Sequence, residues 1–225
     1  LYFHHMPGFV LGGDRPHLRF SREPYVHGDF MIALVREDRG KWLHEFTDNT
    51  ARSLPGRMEW QLADPELPGT TITLAVVPLA DAPGFAVRLQ AKGTKPGDRL
   101  IWAFGGGRRP PNSTDGADSA ARAMDPVITG NQDLLNRGFV AADCSGNQVE
   151  LRGDTFVVTP AETKEKVAAL RFAAGRCSAP TTLTQANAST WQDPVKLAAT
   201  PGADLPLVCG VTPLGTGKQD VFWAV

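Results

Sequence analysis

Short segments in which apolar and polar residues alternate recur along this chain. In RMEWQL (57–62) every second residue is apolar, and the same pattern returns in FAVRLQA (85–91) and RLIWAF (99–104). A period of two places the apolar side chains on one face of a β-strand. The 18 prolines and 23 glycines among 225 residues interrupt the pattern too often for long helices. The sequence therefore predicts an all-β fold, an antiparallel β-sandwich in which residues 1–225 form a single domain.

Two hairpins are predicted near the beginning of the chain. FVL (9–11) and HLRF (17–20) flank a turn that contains Gly, Asp and Pro. YVHGDFMIALVRE (25–37) and KWLHEF (41–46) flank DRG, whose glycine offers a positive φ for the turn. At the other end of the chain, DVFWAV (220–225) predicts a buried strand.

A long excursion interrupts the strands. Residues 105–148 are rich in Gly, Pro and Asn, and a short helix is predicted around DSAARAM. Loops of this length within a compact domain are usually functional or pack onto a neighbouring domain. A second short helix is predicted in TWQDPVKLAAT, with Asp193 as its cap and Pro194 at its first position.

The composition argues against several classes of protein. The formal net charge of −1 provides no basic excess for a nucleic-acid backbone. No apolar run approaches the ~18 residues that a membrane-spanning helix needs. Cys144, Cys177 and Cys209 are widely spaced and form no C-x-x-C pair, which disfavours a structural zinc site. Three buried thiols are favoured over one disulfide with a free thiol, because Cys209 lies in the apolar run LPLVCGV.

Neither a metal site nor a catalytic constellation emerges from the residue pattern. The five histidines fall between residues 4 and 44, at positions that match no usual ligand spacing: His4, His5, His17, His27 and His44. No G-x-S-x-G elbow is present, and the sequence does not show which carboxylates approach one another as glycosidic chemistry requires. No catalytic residue, metal or cofactor is predicted.

The stretch IWAFGGGRRPPNSTDG (101–116) is the candidate contact region. The prolines after GGG lack N–H groups and block an immediate helix, which argues against a phosphate loop. The glycines instead indicate a sharp turn beside another backbone or a ligand. Arg108 and Arg109 offer forked hydrogen-bond donors. Of the five tryptophans, Trp191 lies in the polar segment NASTWQD and is the one expected to be exposed.

Several segments together resemble a bacterial family catalogued as domain of unknown function 4450. They are LYFHHMPGFVLGGDRPHLRF, GKWLHEF, PGRMEWQL, PLADAPGFAVRLQAKG, GDRLIWAFGG and VFWAV, and the resemblance extends from Leu1 to Val225. It implies that LYFHH is native sequence. It also implies that the chain is the N-terminal part of a longer protein, a super-sandwich-like module before a helical (α/α)₆ toroid similar to those of glycoside hydrolases and sugar phosphorylases.

From this resemblance we expect a non-catalytic accessory module of a carbohydrate-active, glycoside-hydrolase-like enzyme, with a periplasmic or secreted location favoured. The expected partners are the C-terminal helical catalytic domain of the same protein and an oligosaccharide. A free-standing carbohydrate-binding module, a complete small enzyme and a protein-interaction sandwich are the alternatives. The candidate carbohydrate- or domain-contact residues are Trp102, Arg108, Arg109, Asn112, Asp125 and Trp191.

Overall fold

A computed structural model describes residues 5–6, 8–11, 13–22, 25–82, 84–106, 139–159 and 173–225. They form an antiparallel β-sandwich of two eight-stranded sheets, as the alternating pattern predicts. Sheet 1 has the order β1-β2-β3-β4-β10-β15-β14, and β5 also pairs with β4. Its strands are β1 (His5–Met6), β2 (Gly8–Leu11), β3 (Leu18–Arg22), β4 (Tyr25–Arg36), β5 (Arg39–Trp42), β10 (Arg99–Gly105), β14 (Thr182–Asn187) and β15 (Pro206–Pro213).

Sheet 2 faces sheet 1 across the core. It has the order β11-β12-β13-β16-β9-β8-β7-β6. Its strands are β6 (Asp48–Leu54), β7 (Arg57–Ala63), β8 (Thr71–Pro78), β9 (Phe85–Thr94), β11 (Gln148–Arg152), β12 (Thr155–Thr159), β13 (Ala173–Cys177) and β16 (Gly217–Ala224).

The inward faces of the two sheets form the main core. In β7 the alternating residues Met58, Trp60 and Leu62 are at most 2% exposed, which confirms the half-buried strand. The indole of Trp102 packs against Trp223 of sheet 2, with ring centroids 6.4 Å apart and the rings close to perpendicular. Aromatic side chains from both sheets therefore fill the space between them.

A smaller layer covers the outer face of sheet 1. Its main element is the short helix α1 (Pro194–Ala199), which begins as predicted: the Asp193 carboxylate accepts hydrogen bonds from the N–H groups of Val195 and Lys196. The 3₁₀ turns Leu43–Glu45, Ala141–Cys144 and Ala188–Thr190 accompany it. Ile101 and Leu197 belong to a second apolar cluster beneath this layer. The part of sheet 1 formed by β4, β10, β15 and β14 is thus covered on both faces.

One predicted turn is built differently from the expectation. The hairpin between β4 and β5 places the positive φ, 57°, at Glu37 and not at Gly40. Gly40 lies in β5, where a β-carbon would come within 2.6 Å of Pro194 Cγ. The glycine is required because α1 packs directly on it. The helix predicted around DSAARAM lies outside the described residues, and within those residues no helix is long and apolar enough to cross a bilayer.

Candidate functional site

The described residues on either side of the segment 107–138 lie together on the outer face of sheet 1. Gly106 follows β10 with a φ of +81°. A β-carbon there would lie 3.2 Å from Cε2 of Phe139, the first described residue after the segment. The Phe139 ring in turn packs edge-on against Trp191, with centroids 5.3 Å apart. We call Gly106, Phe139 and Trp191 the loop root.

Trp191 is held at the loop root by its backbone as well as its ring. Its carbonyl oxygen accepts a 2.9 Å hydrogen bond from Nε1 of the buried Trp42. Its own N–H donates to the carbonyl of Ala188, which closes a 3₁₀ turn. The Trp191 side chain is half-buried. The Trp191 ring is therefore held in place and remains partly accessible beside Phe139 and beside Gly106, where the chain leaves sheet 1.

Glycine at the end of β10 permits a close approach, as the sequence indicated. A β-carbon at Gly105 would lie 2.7 Å from Cβ of Leu207 and 3.2 Å from Sγ of Cys144. A side chain here would displace β15 or the 3₁₀ turn that packs on it. The glycines thus serve backbone and side-chain packing at this strand end.

An ion pair borders the loop root. Asp29 lies in β4, where it pairs with Gly105 of β10 on one side and with Arg19 of β3 on the other. Arg19 Nε lies 2.7 Å from Asp29 Oδ1, and Nη2 lies 3.3 Å from Oδ2. A β-carbon at Gly106 would be 3.8 Å from the same carboxylate. The pair anchors β3 to β4 and keeps this edge electrically balanced.

Trp102 does not lie at this edge. Its side chain is 0% exposed, and its ring packs against Phe30 and Phe156 in the main core. Its Nε1 lies 3.3 Å from Oγ1 of Thr212. The structure therefore places Trp102 inside the sandwich, on the face of sheet 1 opposite the loop root. Arg108, Arg109, Asn112 and Asp125 lie outside the described residues.

The three cysteines are buried free thiols, as expected. Burial raises the pKa of Cys144 and of Cys209 to about 12. At neutral pH both are therefore protonated, whereas a nucleophilic cysteine needs a low pKa.

Buried carboxylates serve as structural ion pairs. Asp98 accepts hydrogen bonds from Arg36 at 2.6 and 2.9 Å and from the backbone N–H of Lys95. Asp64 lies 3.0 Å from the Lys41 ammonium. Burial alone would raise the pKa of both carboxyl groups, but these hydrogen bonds outweigh it and lower both. A general acid of glycoside hydrolysis requires the opposite shift.

Two histidines come together near β5. The ring centroids of His17 and His44 are 4.9 Å apart. Within the part of the chain that the structure describes, no group of three His, Cys, Asp or Glu side chains is placed to hold a metal ion. His4, and the side chains of His5 and His27, lie outside that part.

Sheet 2 presents an outer face that the sequence did not single out. We call it the open face: the outward side chains of β7, β8, β9 and β16. One register row across it consists of Glu59, Ala75, Arg88 and Phe222. A shallow depression of about 400 Å³ lies on this face, and these four residues are among those that line it.

Phe222 corrects the prediction that DVFWAV is buried throughout. Its side chain is 47% exposed, whereas Val221 and Trp223 point inward at 3% and 2%. Arg88 sits opposite it, with its guanidinium carbon 5.9 Å from the ring centroid. The uninterrupted apolar run hid the alternation, although the outward position of Asp220 two residues earlier was a usable signal.

Comparison with known proteins identifies a family. A sequence model of the family described as Domain of unknown function (DUF4450) matches residues 23–222. The match begins after the first segment on which the resemblance was based. No curated protein matches the chain.

Proposed function

The chain belongs to the family described as Domain of unknown function (DUF4450), and we propose that it is a non-catalytic N-terminal β-sandwich module of a carbohydrate-active, glycoside-hydrolase-like enzyme. In this proposal the 225 residues form one domain that supports or edges the cleft of a following helical toroid. The loop root is the contact region, together with Arg108, Arg109, Asn112 and Asp125. Trp102 contributes through the core beneath it.

The observation that carries this proposal is the geometry of the loop root. Gly106 and Phe139, the described residues that flank the segment 107–138, lie against each other. Trp191 packs on Phe139 and remains partly accessible there. A fixed aromatic ring beside such a point suits contact with a second domain, because rigid aromatic anchors lose little entropy on packing.

The electrostatics support a non-catalytic role for the described residues. The carboxylates of Asp29, Asp64 and Asp98 are each held by a basic side chain. The pKa values of Asp64 and Asp98 are lowered, so these two carboxylates are poorly suited to donate a proton at neutral pH. The acid and base of the enzyme are accordingly expected in the helical domain.

Hydrogen exchange tests the proposal. The full-length native protein is compared with the 225-residue chain, and slower exchange is expected in the full-length protein at the amides of Phe139 and Trp191. Trp191→Ala in the full-length protein should weaken that protection. Leu151→Ala serves as the control, because Leu151 is 38% exposed on β11 of the other sheet. Equal exchange at the loop root in the two proteins would overturn the proposed contact.

A further inference from the structure

We propose that the open face of sheet 2 is a binding site for a neutral oligosaccharide, with Phe222 as the platform on which a sugar ring stacks. This inference goes beyond the accessory role, because it concerns the opposite sheet from the loop root. The face combines an exposed aromatic ring, planar polar side chains and balanced charge around one depression.

The depression results from small residues between larger ones. Ala75 lies between Glu59 and Arg88 in one register row. Ala86 occupies the adjacent row, opposite Val77. Because alanine side chains are short, the sheet surface is low at these two positions, and the neighbouring longer side chains form the walls. The volume of about 400 Å³ falls within the range of small-ligand sites.

Phe222 supplies the apolar part of the site. An exposed phenylalanine on a solvent-facing sheet offers a flat surface to the C–H groups of a pyranose ring. The Arg88 guanidinium lies over the Phe222 ring, with its carbon 5.9 Å from the ring centroid, and is itself held by Asp220, whose Oδ1 lies 3.0 Å from Arg88 Nε. The aromatic ring and its charged neighbours are therefore arranged before any ligand arrives, which reduces the entropic cost of binding.

Polar groups around the ring can recognise hydroxyl groups. Gln90 donates from Nε2 to the same Asp220 oxygen at 3.1 Å, and its amide oxygen adds an acceptor. Thr73 contributes a hydroxyl to the lining of the depression. Hydrogen bonds from Gln90 and Arg88 lower the pKa of Asp220, so its carboxylate is ionised at neutral pH and accepts hydrogen bonds. Donors and acceptors thus stand side by side.

The charge balance selects a neutral ligand. Arg57 lies 3.7 Å from Glu59, and Arg88 lies 2.9 Å from Asp220. Each arginine in the lining is therefore matched by a carboxylate. An anionic ligand would have to displace one of these carboxylates, whereas a polyhydroxylated neutral chain can bridge the existing pairs. The face also lies across central strands, so a peptide cannot add to it as an extra strand.

Affinity electrophoresis of the 225-residue chain tests the site. The probes are soluble neutral polysaccharides (xylan, mixed-linkage β-glucan, galactomannan and amylose), with polygalacturonate as the anionic comparison. We expect retardation by at least one neutral polymer and none by polygalacturonate. Phe222→Ala should weaken that retardation roughly tenfold, since stacking on the ring is lost.

Leu151→Ala is the matched control, because it removes an exposed apolar side chain from the same sheet outside the depression. It should bind like the wild type, and circular dichroism checks that both variants are folded. Absence of retardation by all four neutral polymers, or equal retardation of wild type and Phe222→Ala, would overturn the inference. Neither result bears on the loop root, whose test measures exchange on the other sheet.

Discussion

The indole of Trp102 lies directly on Gly210, its partner across the β10–β15 pair. A β-carbon at Gly210 would overlap Cε2, Cζ2 and Nε1 of the ring. The Trp102 ring therefore occupies space that any side chain at position 210 would need. Because Gly210 has no side chain, the Trp102 indole can pack at the centre of the sandwich.

Gly210→Ala should destabilise the protein by about 1–3 kcal/mol, because the new methyl group overpacks the core. Urea unfolding followed by tryptophan fluorescence measures the change. Trp102→Phe provides the partner for a double-mutant cycle: the smaller ring should reduce the cost of the added methyl group. Additive effects of the two changes would contradict the packing relationship.

Asp98→Asn should cost about 3–5 kcal/mol of unfolding free energy, because it leaves Arg36 without its buried counter-charge. The Asp98 side chain is 1% exposed and its partner 13%. Asp154→Asn is the control, since the Asp154–Arg176 pair is well exposed on both sides and should change stability by about 1 kcal/mol or less. Equal losses for the two variants would refute the structural role of Asp98.

Stability should fall as the pH drops from about 6.5 to about 4. Burial, followed by the nearby charges of His17 and Arg15, lowers the pKa of His44 from 6.5 to about 4. Over that interval the unfolded chain binds a proton that the folded protein excludes, so acid favours unfolding. Paired carboxylates such as Asp98 have a pKa lowered from 3.8, so their contribution to folding stability is lost mainly below this pH interval.

His44→Phe isolates this effect, because a phenyl ring can keep the stacking on Trp42 without titrating. Urea midpoints measured at pH 7, 6, 5 and 4.5 should decline less steeply in the variant than in the wild type. Parallel curves would show that His44 does not contribute to the pH dependence.

The cysteines should be inert in the folded protein. With a pKa of about 12, Cys144 and Cys209 carry about one thiolate in ten thousand molecules at pH 8, and Cys177 is 3% exposed. Ellman's reagent should therefore react slowly with the folded protein in buffer. In denaturant it should react with all three thiols. Rapid labelling of Cys144 in the native protein would contradict its burial beside Gly105.

Local patterns predicted most of the central strands and the start of α1. The strict alternation in β7 and β9 predicts that one face of each strand is buried. Asp193 followed by Pro194 predicts the start of the helix. The edge strands β6 and β14 were not predicted, because DNTARSL and TLTQAN are mostly polar. They form because each pairs along its length with a neighbour, β7 or β15, that already has a place in the sheet.

The candidate sites depend on contacts between distant parts of the chain. Within the loop root, Trp191 packs against Phe139, a contact that no local pattern encodes. Phe222 meets Arg88 because β16 pairs with β9, and this register is a property of the folded sheet. By contrast, the apolar alternation in RLIWAF indicates a buried face for Trp102, and its burial in the structure does not fit its place among the contact candidates.

The intact mass of the protein from its native cells tests the accessory-module proposal most directly. The proposal predicts a species much heavier than 24.2 kDa that contains this sequence at its N-terminal side. A native protein of 24.2 kDa would contradict it, since no helical domain would then be present for the loop root to contact.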